Sequence, residues 1–367
     1  MKHGIERRLF VAATSQDDGK TTCSLGLLKA FCDRAESVGF IKPVGQRYVT
    51  VNGQQIDEDT VLVQSVCGLA CPLKDMNPVV IERDFTRRFL DNPERILPHL
   101  ESAIRASFAV AAKDNDLVLI EGTGHAGVGS VFDLSNARVA RLLNAPVVIV
   151  TLGGIGRPVD EVALNRTLFD QENVPVLGVI ANKVRPDRVE QTRDYLTKAF
   201  ARKGMALLGT IPFVPRLTWP TVEQVAQALE AKVLNGRHFL SNQVAEIVVG
   251  AMTPQNAIKY IKDKTLLIVP GDRDDVILAA MTTDLLRKDI DLSGIIITGG
   301  LQLAVQTREL IMRTHIPVLA VESPTYEATA AIHDITVKIR GTDEEKIRLA
   351  AALVRAHVNL DALWQAL

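Results

Sequence analysis

From the first residues to about 212, short apolar runs alternate with stretches of helical period. Runs at 9–13, 38–42, 116–121, 146–151, 176–181 and 206–211 predict strands. Leu117-Val-Leu-Ile120 and Val147-Val-Ile-Val150 are continuous rather than alternating, which is how strands buried on both faces look. Helices are predicted between them, including one from Gly19 to about Ala35 and others over 134–143, 158–171 and 187–203. This alternation predicts an α/β fold, doubly wound around a mostly parallel sheet. Residues 50–115 are richer in helix and punctuated by Pro72, Pro78, Pro93 and Pro98, an excursion from that sheet.

Three prolines between Pro212 and Pro220 mark a boundary. A second, smaller α/β pattern follows, with strands near 264–269, 294–298 and 317–321. Helices are expected over 221–230, 273–287, 302–313 and 325–334, and a charged helix over 342–364 ends the sequence. The expected division is 1–214, 215–340 and a C-terminal helix 341–367.

Composition narrows the function classes. A chain of 367 residues has room for two cores, and 47% hydrophobic with 23% charged residues is ordinary for a globular protein. A net charge of −1 gives no argument for nucleic acid or an anionic membrane as partner. No apolar run is long enough to span a bilayer, and the first residues lead directly into a strand, so a cytoplasmic protein is expected. Cys23, Cys32, Cys67 and Cys71 form neither a disulfide framework nor a zinc pattern; free thiols are expected.

The chemistry concentrates after the strands, where open α/β sheets bind ligands. Thr14-Ser-Gln-Asp-Asp-Gly-Lys-Thr-Thr22 joins the first strand to the first helix. Backbone N–H groups at such a helix start lack intrahelical partners and sit at the positive end of its dipole, so they cradle phosphate. This is a P-loop in which Thr14 replaces the first glycine and Asp17 and Asp18 lie inside the loop. Lys20 would reach the β/γ-phosphates and Thr21 would hold Mg²⁺.

Lys42 follows the second strand and is fixed by Pro43. It is placed either for phosphate or carboxylate contact or for solvent. Asp59 either caps a helix or ligates Mg²⁺. Glu121 ends a buried strand, where P-loop proteins complete the metal shell, and the glycines after it allow close approach to a ligand. His125 would polarise that ligand or serve the turn. Asn182 offers donor and acceptor together, as a purine edge requires.

These residues, in this order, resemble the dethiobiotin synthetase-like branch of P-loop proteins, which includes the synthetase portions of cobyrinate and cobyrate amidotransferases. The shared features are the P-loop, Lys42-Pro43, Asp59 before Thr60-Val-Leu-Val-Gln64, Glu121-Gly122 and Ala181-Asn-Lys-Val184. The resemblance implies a P-loop NTPase-type sheet with ATP and Mg²⁺ as cofactors. It assigns the nucleotide to Thr14, Asp18, Gly19, Lys20, Thr21, Thr22 and Asn182, with Asn182 reading adenine. It gives the metal to Thr21, Asp59 and Glu121, and catalytic roles to Lys20 and Lys42. It also implies a homodimer. The chain departs from dethiobiotin synthetase at Gly45-Gln-Arg-Tyr48 and Thr123-Gly-His-Ala-Gly-Val-Gly129. It carries Ser15 where partition ATPases carry a further lysine.

In the second pattern, Gly271-Asp-Arg-Asp-Asp275 and Thr298-Gly-Gly300 each follow a strand. Asp272 would cap a helix and Thr298-Gly-Gly300 would form an anion-accepting nest, unless both are plain turns. Their spacing resembles the DRTGG domain. Asp272, Arg273, Thr298, Gly299 and Gly300 would then meet an unknown small metabolite. A dethiobiotin synthetase-like domain followed by a DRTGG domain is also the order found in long bacterial phosphate acetyltransferases, over about residues 8–335 here; their acetyltransferase catalytic domain is not among the residues given.

The leading expectation is an ATP- and Mg²⁺-binding module coupled to a ligand-sensing domain. It would act as a regulatory or accessory protein in central or cofactor metabolism, with slow ATP hydrolysis. The rival is a ligase that activates a carboxylate or carbamate by phosphorylation, with Lys42, His125, Asp17 and Asp18 lining its pocket. A third reading is a structural partner with a vestigial P-loop.

Overall fold

The computed structural model describes residues 7–34, 37–287 and 289–367. Two compact units result: Met1–Val214 with Ile339–Leu367, and Pro215–Lys338.

The first unit is built on six strands: β1 (Arg7–Ala13), β2 (Val38–Ile41), β3 (Leu117–Glu121), β4 (Val147–Leu152), β5 (Val176–Val184) and β6 (Leu207–Pro212). Their order is β6-β5-β4-β1-β3-β2, and every neighbouring pair is parallel. Because successive side chains point to opposite faces, the apolar runs feed two cores at once. Phe10, Ala12, Val118, Ile120, Val147 and Ile149 face one core. Leu9, Val11, Ala13, Leu117, Leu119, Val148 and Val150 face the other. The sheet is therefore doubly wound, and the chain departs from β1 to either side, which opens the crevice above β1 where ligands bind.

Helix α1 (Lys20–Phe31) follows β1. It ends four residues before the expected Ala35, which itself lies outside the described residues, because residues 32–34 already form a turn. Between β2 and β3 the chain makes an antiparallel hairpin of Tyr48–Val51 with Gln54–Asp57, then α2 (Glu58–Cys67) and α3 (Pro93–Ala112). Pro93 opens α3 at its first turn, where no N–H is needed, but Pro98 lies inside the helix and does not interrupt it.

The charged helix expected over 342–364 is two helices, Glu344–His357 and Leu360–Ala366, and both belong to the first unit. Val354, Val358, Leu360 and Leu363 join the core on the α1 side. Gly26 makes the close approach possible, since a Cβ there would lie 2.3 Å from Val354 Cγ2. Trp364 completes the contact against Phe31 and beneath the Arg7 guanidinium.

The second unit has five strands: β7 (Lys232–Asn235), β8 (Glu246–Val249), β9 (Thr265–Pro270), β10 (Gly294–Thr298) and β11 (Val318–Ala320), in the order β7-β11-β10-β9-β8. Only β7 runs antiparallel to its neighbour. Leu267 and Val269 face one core while Leu266 and Ile268 face another. The sequence pattern did not reveal β7 and β8, because edge strands of four residues carry little period. Among the described residues no helix is long and apolar enough to cross a membrane.

Candidate nucleotide-binding site

The loop after β1 is closed from inside. Thr14 N–H donates to Val150 O, which ties the loop's first residue to the sheet. Asp18 is buried, and its Oδ2 accepts from Thr14 Oγ1 and from Ser15 N, both at 2.7 Å. Burial pushes the Asp18 carboxyl above the usual carboxylate range, even though those two hydrogen bonds favour its charged form. Its Oδ1 is buried with no hydrogen-bond partner. Asp17 adopts a left-handed conformation and its carbonyl accepts from Lys183 Nζ at 2.6 Å. The two acidic loop residues therefore differ: Asp18 braces the loop, and Asp17 turns it.

Gly19, also left-handed with φ 88°, is the residue before α1, and no side chain caps that helix. The N–H groups of the first turn, at Lys20, Thr21 and Thr22, are thereby left to the ligand side. Asn182 lies directly behind the loop and donates to Asp18 O at 2.9 Å. One of the two amide N–H donors is thus engaged with the loop itself. In this arrangement Asn182 supports the phosphate cradle, because β5 ends beside α1's start.

The second half of the site is a buried charge cluster. Lys42 Nζ lies 2.8 Å from Asp57 Oδ1, in contact with Asp59 Oδ2, and 3.7 Å from Glu121 Oε1. Thr21 Oγ1 donates to the same Glu121 oxygen at 3.1 Å. Burial opposes the charge on Lys42, but Asp59, Glu121 and Asp57 together hold its ammonium well above the ordinary lysine range. Burial raises Glu121 despite the neighbouring Lys42. Burial lowers Lys20, assisted by Lys42 and opposed by Glu121. A strand-end lysine open to solvent is excluded, since Lys42 is 5% exposed.

Asp57, which the sequence pattern did not single out, caps α2 by accepting from Asp59 N. Its own N–H donates to Asn77, whose amide also holds Lys42 O. Among the described residues no group of three or more His, Cys, Asp or Glu is arranged to hold a metal ion. The donor set nevertheless suits Mg²⁺: Thr21, Asp59 and Glu121 offer hard oxygen ligands, and Glu121 Oε2 is buried with no hydrogen-bond partner.

Two asparagines hold the loop after β3. Asn136 accepts from Thr123 N and donates to the carbonyls of Thr123 and His125. Asn165, on α4 (Arg157–Gln171), accepts from Ala126 N at 2.7 Å and donates to Thr14 O at 3.3 Å. It links the Glu121 loop to the P-loop. Neither shows a local sequence signal, because the loop residues each one holds lie beyond its own helix. His125 is exposed and its Nδ1 accepts from Gly127 N, which is turn chemistry.

In the second unit the expected anion nest is closed. Gly299 N donates to Ser323 O and Gly300 N to Val321 O, so both N–H groups tie the turn after β10 to the residues that follow β11. Thr298 is buried and its hydroxyl meets that of Thr325 at 2.7 Å. Asp272 is exposed and does not cap the helix Asp274–Leu286; Arg273 holds the cap position without a side-chain cap bond. The Arg273 guanidinium instead grips Asp275 through two bonds and donates to Met252 O.

Comparison with known proteins agrees with this two-part layout. Residues 7–221 match the family described as AAA domain, and residues 224–335 match the DRTGG domain. The chain is 29% identical over 368 residues to a phosphate acetyltransferase of Pseudomonas putida, covering 97% of this chain and 51% of that protein. It is 27% identical over 369 residues to that of Nitratidesulfovibrio vulgaris, covering 98% and 51%. The chain thus spans about half the length of these curated relatives and matches their N-terminal part. A solved structure of the septum site-determining protein MinD with Mg-ADP, from Pyrococcus horikoshii, is 17% identical. It covers 58% of this chain and 84% of that one, with a TM-score of 0.34. Through residues 7–221 the chain belongs to the AAA domain family, and a DRTGG domain follows that region.

Proposed function

We propose that this chain is an ATP- and Mg²⁺-binding P-loop protein whose DRTGG domain senses a small metabolite. It would act as a regulatory or accessory protein in central or cofactor metabolism, with slow ATP hydrolysis. The observation that carries the reading is the convergence of Lys20, Thr21, Lys42, Asp59 and Glu121 beyond the ends of β1, β2 and β3.

In this reading the first-turn N–H groups of α1 and the Lys20 ammonium bind the phosphates. Thr21, Asp59 and Glu121 would hold Mg²⁺, which supplies positive charge against the phosphate oxygens. Asp18 and Asn182 keep the loop open by bonding its backbone and first side chain from within and behind. Lys42 is engaged with three carboxylates, whereas a ligase would need this lysine released onto its substrate. The resemblance to dethiobiotin synthetase-like proteins supports a homodimer, and the free cysteines support a cytoplasmic location.

Calorimetry with ATP and Mg²⁺ tests the proposal directly. Saturable binding is expected for the wild type and its loss for Lys20→Ala. No binding by the wild type, or unchanged binding by the variant, defeats it. A metabolite panel that stimulates phosphate release would move the assignment to the ligase.

A further inference from the structure

Lys42 stands among the same carboxylates that the proposed function assigns to the cation, and this inference rests on that reading. We infer that the Lys42 ammonium and a divalent cation are alternative occupants of one seat. Lys42 neutralises that seat until a cation displaces it.

Three observations support this. First, the donors coincide: Lys42 Nζ contacts Asp59 Oδ2 and faces Glu121 Oε1, the oxygen that also accepts from Thr21. Mg²⁺ takes oxygen ligands at about 2.0–2.1 Å, so an ammonium resting on these oxygens excludes it by volume and by charge. Second, Glu121 is fully buried and its Oε2 has no hydrogen-bond partner, so the seat contains a donor that the lysine does not use. Third, the charges require an occupant. Asp57, Asp59 and Glu121 are opposed by Lys42 and Lys20, and withdrawing Lys42 without replacement leaves three buried carboxylates with less positive charge beside them than they carry.

The exchange needs only a side chain to move. Lys42 N donates to Met76 O and Asn77 Nδ2 donates to Lys42 O, both at 2.8 Å, and Pro43 follows. The backbone is pinned, while the four-carbon stem carries the ammonium through its rotamers.

The test uses the intact chain without nucleotide, which separates it from the ATP calorimetry. Mn²⁺ titrated into Lys42→Met should bind at least about tenfold more tightly than into the wild type, because the competing occupant is gone. Lys42→Arg, which keeps the charge, should stay at the wild-type affinity, and Glu121→Gln in the Lys42→Met background should abolish the gain. Reductive methylation of the wild type followed by peptide mass spectrometry should show Lys42 protected without cation and labelled several-fold more in saturating Mn²⁺. Should Lys42→Met fold only when Mn²⁺ is added, the shared seat is supported; should it fail to fold at any Mn²⁺ concentration, the wild-type labelling decides. Equal Mn²⁺ affinity in Lys42→Met and wild type, or unchanged Lys42 labelling, overturns the inference. Loss of ATP binding alone does not.

Discussion

The Asn182 amide nitrogen donates to the carbonyl of Asp18 at 2.9 Å, and it lies 2.2 Å from where a Cβ on Gly19 would sit. The end of β5 thereby sets both the shape of the phosphate loop and the need for glycine within it. Gly19→Ala should lose nucleotide binding. It places a side chain against Asn182 and forces a left-handed conformation that costs an L-residue about 1–2 kcal/mol. Binding of ATP measured by calorimetry is the check, and wild-type affinity in the variant would refute the close contact.

Asn182→Ala separates a loop brace from a purine reader. As a brace, Asn182 should affect ATP, GTP and tripolyphosphate alike, each losing several-fold in affinity while their ratios hold. A loss confined to ATP would return Asn182 to base recognition.

Asp18 places a carboxylate inside an anion-binding loop. Asp18→Asn keeps an acceptor for Thr14 Oγ1 and Ser15 N and removes the charge, so ATP affinity should rise. It should also change the pH profile of stability. Because burial raises the folded-state pKa of Asp18, its contribution is most favourable below the ordinary aspartate value of about 4 and is lost as pH rises through the raised value. Urea denaturation across that acid range should show the decline in the wild type and a flatter profile in Asp18→Asn.

Leu363→Ala tests whether the C-terminal helices complete the nucleotide domain. Leu363 is fully buried in the core on the α1 side, so truncation should cost about 2–5 kcal/mol in the unfolding of that unit. Stabilisation by bound ATP should follow the same denaturation transition. A loss confined to a separate transition that ATP does not shift would assign the helix elsewhere.

Arg273→Ala should lower the stability of the second unit slightly, since it removes a solvent-screened forked pair to Asp275 and a bond to Met252 O. Arg273→Lys should not restore it, because a lysine cannot make the fork. Chemical denaturation of both variants reads the outcome, and full recovery by lysine would show that only the charge matters.

The local pattern by itself determined the six parallel strands of the first unit, β9, β10 and β11 of the second, and the position of the phosphate loop. Runs such as Leu117-Val-Leu-Ile120 admit one environment, a sheet covered on both faces, and Gly19-Lys20-Thr21 at a strand-to-helix junction declares an anion site. The resemblance carried by Lys42, Asp59 and Glu121 in that order also implied residues that meet in space. Tertiary structure decided what those residues do to one another. Capping by Asp57, the inward turn of Asp18, the bridge made by Asn165 from the Glu121 loop to Thr14, and the closure of the Gly299-Gly300 turn all depend on which distant donor faces which acceptor. The same holds for the helices after residue 339: the sequence announced one charged helix, and only Gly26 on α1 shows which surface receives the two that form. Periodicity encodes burial along one element, whereas a hydrogen bond or a packed face is a property of two, and the second is placed by the fold.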